Sequence, residues 1–214
     1  MNIALVNYNS GNLSSLKNSL CSVIKSLKKN YQVNITNVPE KIINADRVIL
    51  PGVGDFYNCK QQLMKIEGMA EALDEYIKIK ARPFLGICIG MHLMARASYE
   101  RGFNKGFDFL DSEVVLIERK KEGLRVPHMG WNDLTVQNKN YKNSFASIDK
   151  KDFYFVHSYH MKCKNNEEVL ATVNYGERMV AAVCKDNILG VQFHPEKSQI
   201  NGQQFLRQFL DWKP

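Results

Sequence analysis

The chain has 214 residues, 44% of them hydrophobic, enough for one well-buried globular domain and too few for two full catalytic ones. Its formal charge of +7 comes from dispersed residues such as Lys28-Lys29 and Arg119-Lys120-Lys121, short runs typical of solvated faces, and no nucleic-acid fold signature accompanies them. Five scattered cysteines without a C-x-x-C pair or Cys/His cluster argue against a zinc site and a disulfide framework, and no window approaches a membrane span.

In chain order, residues 2–6 (NIALV) open on a buried strand too short for a signal peptide, so a soluble cytoplasmic protein is expected. Leu13, Leu16, Leu20, Val23, Ile24 and Leu27 recur at three- and four-residue spacing, which predicts a helix. Strands follow near 31–36 and at 46–50. A long helix is predicted from about Phe56 to Ile79, weakly broken around Gly68, then a strand at 83–87 and a helix at 89–98. Such alternation predicts an α/β fold, an open, mostly parallel twisted sheet with helices on both faces.

After residue 110 the chain becomes β-rich, with segments at 113–118, 133–136, 153–157, 168–174 and 179–184. Asp186-Asn187 reads as a hairpin turn into 188–193. A closing helix is predicted from Asn201, as N-cap, burying Phe205, Leu206, Phe209 and Leu210. No linker separates the two textures, so a single domain over 1–214 is expected.

Gly86-Ile87-Cys88-Ile89-Gly90 has the spacing of a nucleophile elbow, G-x-C-x-G. Glycines there leave room for a sharp strand-to-helix turn, which exposes the sulfur at the carboxyl edge of the sheet beside a helix N-terminus. A thiolate nucleophile needs a proton shuttle. Among five histidines, His194 in Val191-Gln192-Phe193-His194-Pro195-Glu196 stands out. In an extended segment Glu196, two residues on, would share its side and orient it, with Pro195 fixing that geometry. For the developing oxyanion, the N–H of Ile89 is one candidate donor; the glycines of Leu50-Pro51-Gly52-Val53-Gly54 would let the Val53 N–H turn in as another.

With Asn7-Tyr8-Asn9-Ser10-Gly11-Asn12-Leu13, LPGVGDF at 50–56, PFLGICIGMHLM at 83–94, RVPHMGWN at 125–132, YFVHSY at 154–159 and GVQFHPEKSQ at 190–199, the chain resembles the class I, triad-type glutamine amidotransferases nearly end to end. PHMGWN and FVHSY are similar to the branch that serves histidine biosynthesis. The resemblance implies hydrolysis of L-glutamine through a thioester on Cys88, with His194 relaying protons and Glu196 orienting it, and no metal or organic cofactor. It implies that Gly52 and Gly54 line the substrate site, that Glu100 meets the α-amino group, and that Ser158 and Tyr159 hold the carboxylate. Ammonia would pass to a separate (β/α)8-barrel synthase subunit in a heterodimer, with Asn12, Trp131, Tyr154 and Lys197 facing it.

The family usually reads C-L-G-M-Q where this chain has His92. One helical turn beyond Cys88, an imidazole there is open to three readings: a tolerated substitution, a group that still touches the substrate, or one that weakens glutamine binding and competes with His194 for the thiol proton. The segment Ser98-Tyr99-Glu100-Arg101-Gly102 is one residue longer than the usual S-x-E-G. Other readings are a paralogue supplying ammonia to another amidation, such as that of a bacterial surface sugar, a non-catalytic regulatory subunit, and a free-standing thiol hydrolase.

Overall fold

Strand β1 (Asn2–Val6) starts the chain in the computed structural model, which describes residues 1–119, 123–137 and 142–214. Lys120 and Lys121 of the basic run lie outside the described residues. Helix α1 (Leu13–Ser26) buries Leu16, Leu20, Val23 and Ile24, the stripe expected from their spacing. Then come β2 (Gln32–Thr36), α2 (Pro39–Ile43), β3 (Arg47–Leu50), α3 (Phe56–Met64), α4 (Met69–Asp74) running on into a π-helical turn (Glu75–Ile79), β4 (Phe84–Ile87) and α5 (Ile89–Leu93).

The second half holds β5 (Ala95–Ser98), β6 (Asn104–Lys105), β7 (Leu110–Leu116), β8 (His128–Val136), α6 (Lys142–Phe145), β9 (Asp152–His157), β10 (Tyr159–Cys163), β11 (Val169–Tyr175), β12 (Glu177–Lys185), β13 (Ile188–Val191) and α7 (Gln199–Asp211). Among the described residues, nine strands form one sheet in the order β2-β1-β3-β4-β13-β12-β11-β8-β9, and four form a second, β10-β7-β5-β6. From β2 to β13 the pairing is parallel; beyond β13 it is antiparallel. Every residue of β3, β4 and β13 is buried, as strands covered on both faces must be. No helix among the described residues is long and apolar enough to cross a membrane.

Three expectations need correction. The helix at 89–98 ends at Leu93, and Ala95–Ser98 is β5, parallel to β7. Residues 91–95 are buried on every side, so hydrophobic period cannot separate helix from strand there, and pairing with β7 decides. The long helix at 56–79 is two helices, and Gly68, at φ 75°, occupies the N-cap position of the second. The closing helix begins at Gln199 after Ser198; Asn201 lies inside it, and its Nδ2 donates to the Asp152 carbonyl at 3.0 Å. The short elements α2, α6, β6 and β10 lie outside the segments expected from sequence, and the Asp186-Asn187 hairpin is present between β12 and β13.

Candidate active site

Register along the parallel strands brings Leu50, Gly86, Ile87 and Val191 side by side at the carboxyl edge of the sheet. Cys88 leaves β4 with φ 54° and ψ −111°, a conformation an L-residue holds only under constraint, costing on the order of 1–3 kcal/mol. The constraint is visible. Cys88 N–H donates to the Val191 carbonyl at 2.8 Å and the Cys88 carbonyl accepts from His92 N–H at 3.1 Å. A Cβ on Gly86 would lie 2.7 Å from the Gly90 carbonyl oxygen, and one on Gly90 would overlap the Leu50 carbonyl. The two glycines thus let the elbow close on itself and on β3. Helix α5 has only five residues, so the dipole it offers the sulfur is less than the sequence promised.

Beyond β13, Phe193 packs between Phe153 (4.2 Å between ring centroids) and Phe205 (5.3 Å), anchoring the backbone just before His194. His194 N–H donates to the Tyr154 carbonyl at 2.9 Å. Ser198, fully buried, ties the same turn twice: its Oγ donates to the His194 carbonyl at 2.7 Å and accepts from Tyr154 N–H at 3.0 Å. Residues Pro195–Lys197 form a 3-10 turn rather than an extended strand end. Glu196 therefore reaches the ring by tight turning, not by period-two alternation. Its Oε1 lies 2.9 Å from His194 Nδ1, which must carry the proton because an ionised carboxylate only accepts.

Burial disfavours a charged His194, yet the charge of Cys88 and the hydrogen bond and charge of Glu196 outweigh it and push the ring's pKa up to about 10. Nε2 has no hydrogen-bond partner, so Cys88 acts on the ring through charge. The other four histidines behave oppositely. Burial brings His92, His128 and His160 down to about 4, and His157 well below its usual value. One histidine in five is built to be cationic at neutral pH.

Cys88, His194, Ile89, Val53, Gly54, His92, Glu100, Ser158 and Tyr159 line one cleft of about 700 Å³; Gly52 does not, and Glu196 sits behind His194. Glu100 Oε2 accepts from Phe56 N–H at 2.8 Å, and burial raises its pKa. The longer loop thus still delivers this carboxylate to the cleft. The Val53 N–H, expected to serve the oxyanion, is instead committed to Ser10 Oγ at 3.0 Å, and Ser10 Oγ donates to the Val53 carbonyl at 2.8 Å. Gly54, at φ 110°, holds the backbone in that turn. Ile89, the first residue of α5 and part of the cleft lining, has an N–H with no intrahelical acceptor.

Two groups were missed from sequence. Ser10 lies within the NYNSGNL stretch, and Gln192 stands two residues before His194, but neither spacing betrays a contact. The PHMGWN and FVHSY stretches meet across β8 and β9, where His128 pairs with His157. His157 Nδ1 donates to the Tyr159 carbonyl at 2.9 Å, which leaves its Nε2 to accept from His128 Nδ1 at 3.0 Å.

At the cleft mouth, Trp131 is 47% exposed and meets Tyr154 edge-on at 6.0 Å, and Lys197 Nζ lies 5.7 Å over the Tyr154 ring. Asn12 is exposed beside the cleft and also caps α1, its Oδ1 accepting from Ser15 N–H at 3.4 Å. Among the described residues, no cluster of three or more His, Cys, Asp or Glu side chains is placed to hold a metal.

The family model described as glutamine amidotransferase class-I matches residues 10–212, and the chain belongs to that family. It is therefore a glutamine amidotransferase. Within the family it is 41% identical, over the whole of both chains, to the imidazole glycerol phosphate synthase subunit HisH of Bradyrhizobium diazoefficiens. The protein of the same name from Cereibacter sphaeroides is 43% identical over 98% of each chain. Among solved structures, a glutamine amidotransferase covers 97% of each chain at 19% identity with a TM-score of 0.70, a likeness of fold.

Proposed function

We propose that this chain, as one domain, is the glutaminase subunit of an imidazole glycerol phosphate synthase in histidine biosynthesis, passing ammonia to a (β/α)8-barrel subunit. The observation that carries the reading is the full-length likeness to proteins of that name, 41% and 43% identical.

In this reading Cys88 Sγ attacks the carboxamide carbon of L-glutamine, and the Ile89 N–H receives the developing oxyanion. His194 gives its proton to the amide nitrogen as the C–N bond breaks, so ammonia leaves and a γ-glutamyl thioester remains. His194 then takes a proton from water, whose oxygen attacks the thioester; glutamate leaves and the sulfur is regenerated. Glu196 keeps the imidazole in the Nδ1–H form that this cycle needs. Glu100 holds the α-amino end of the substrate, and Ser158 and Tyr159 hold its carboxylate.

A second oxyanion donor requires the Val53 peptide to leave Ser10 Oγ. Hydrolysis is therefore slow in the chain alone and markedly faster in complex. Trp131, Tyr154, Lys197 and Asn12 are the surface on which the barrel subunit would dock.

The test is Cys88→Ala in complex with the barrel subunit. Glutamine-dependent synthesis should disappear while ammonia-dependent synthesis persists, because the partner's chemistry does not use this thiol. Glutamine-dependent synthesis that survives the substitution refutes the reading, and a wild-type complex that fails to make imidazole glycerol phosphate refutes the assigned acceptor.

A further inference from the structure

Gln192 is wholly buried, with one end of its carboxamide toward the nucleophile and the other toward the residue that departs from the family pattern. Its Nε2 lies 3.8 Å from Cys88 Sγ, within reach of a hydrogen bond to sulfur, and its Oε1 lies 2.7 Å from His92 Nε2. We propose that Gln192 is a donor to the Cys88 thiolate and that His92 is the positioning residue that fixes which end of the carboxamide faces the sulfur. This rests on Cys88 being the nucleophile and gives His92 a role distinct from the readings the sequence left open.

Proton placement decides which end of the carboxamide faces the sulfur. A carboxamide can face sulfur with its NH2, which stabilises a thiolate, or with its oxygen, which repels one. His92 selects between them. Its Nδ1 is buried without a partner, so a proton placed there would be an orphaned donor, whereas a bare lone pair is tolerated better. The favoured tautomer therefore carries its proton on Nε2 and donates to Gln192 Oε1, which leaves the NH2 group for Cys88.

Burial keeps the His92 ring neutral, so it adds no cation beside the sulfur. Titratable groups around the pair are Cys88 and His194 on the sulfur side, Tyr8 and Cys59, which interact with the same sulfur by charge and whose pKa values burial raises, and His157 and His160 from β9 and β10, both also held neutral. His194 is thus the single proton shuttle, and His92 does not compete with it.

The experiment is the pH profile of Cys88 alkylation by iodoacetamide, located by mass spectrometry in the full chain. Gln192→Leu should move the profile up by about one pH unit, a roughly tenfold loss of reactivity near neutrality. His92→Leu should move it in the same direction by less, and the double variant no further than Gln192→Leu alone, because His92 acts only through the carboxamide. His92→Gln, which still offers an N–H to Gln192 Oε1, should restore most of the wild-type profile. In steady state the loss should fall on kcat more than on KM, since neither group is assigned to hold glutamine.

Gln192→Glu, nearly the same in shape, keeps the test open if the leucine variant does not fold; it should raise the profile further. An unmoved profile in a folded Gln192 variant, or His92 and Gln192 effects that simply add, overturns the proposal. Alkylation of Cys88 that leaves glutamine hydrolysis intact would overturn the nucleophile reading instead.

Discussion

Cys88 and His194 reach the cleft from neighbouring strands, β4 and β13, yet opposite means hold them in place. The elbow is fixed by exclusion: Gly86, Gly90 and the Leu50 carbonyl are packed so closely that no side chain fits between them. The His194 turn is fixed by bonding, through Ser198, Glu196 and the Tyr154 backbone. A residue in a strained conformation needs walls that cannot move. A histidine that, in the proposed cycle, gains and loses a proton needs partners that tolerate both states. The first kind of site should fail abruptly on substitution, and the second by degrees.

The largest effect expected from that contrast is at Gly90. In Gly90→Ala the new methyl meets backbone of β3, which cannot swing aside, so a loss of about 3–5 kcal/mol or outright failure to fold is expected in chemical denaturation. Near-wild-type stability in this variant would mean that the elbow is looser than its geometry implies.

Next comes acid. A neutral histidine whose folded pKa lies below its unfolded value contributes stability that is complete above about 6.5 and is lost as pH falls toward about 4. For the fully buried His92 this is on the order of 2–3 kcal/mol, so the wild type should weaken over that window and His92→Leu should weaken less. His194 runs the other way: its raised pKa gives stability that is complete below about 6.5 and is lost as pH rises through about 10. Denaturation midpoints across pH, compared between wild type and each histidine variant, separate the two signs.

The smallest of the three is Ser198→Ala. It removes one donor and one acceptor from the His194 turn and should cost about 1–2 kcal/mol in denaturant, with glutaminase activity reduced rather than abolished. A cost as large as that of Gly90→Ala would erase the distinction between the two modes of support.

The parallel half of the fold was legible because its strands are continuous apolar runs and α1 carries a clean stripe. What escaped was decided by partners distant in sequence. Strand β5 exists because β7 lies beside it, and Ala95–Ser98 contains nothing that forbids helix. The positions of Cys88, His194 and Glu196 were legible because each sits in a short pattern with a backbone consequence. The mode of contact was less so: Glu196 arrives through a 3-10 turn, and the Val53 N–H is taken by a serine more than forty residues away. Hydrogen bonds between residues this far apart leave no periodicity to read, which is also why nothing in the sequence marks Gln192.

The most direct measurement is acid quenching of the enzyme during glutamine turnover, followed by mass analysis of the intact chain and its peptides. A γ-glutamyl adduct is expected on the peptide containing Cys88, absent from Cys88→Ala, which should also have lost hydrolysis. An adduct on another of the five cysteines, or undiminished hydrolysis by Cys88→Ala, would contradict it.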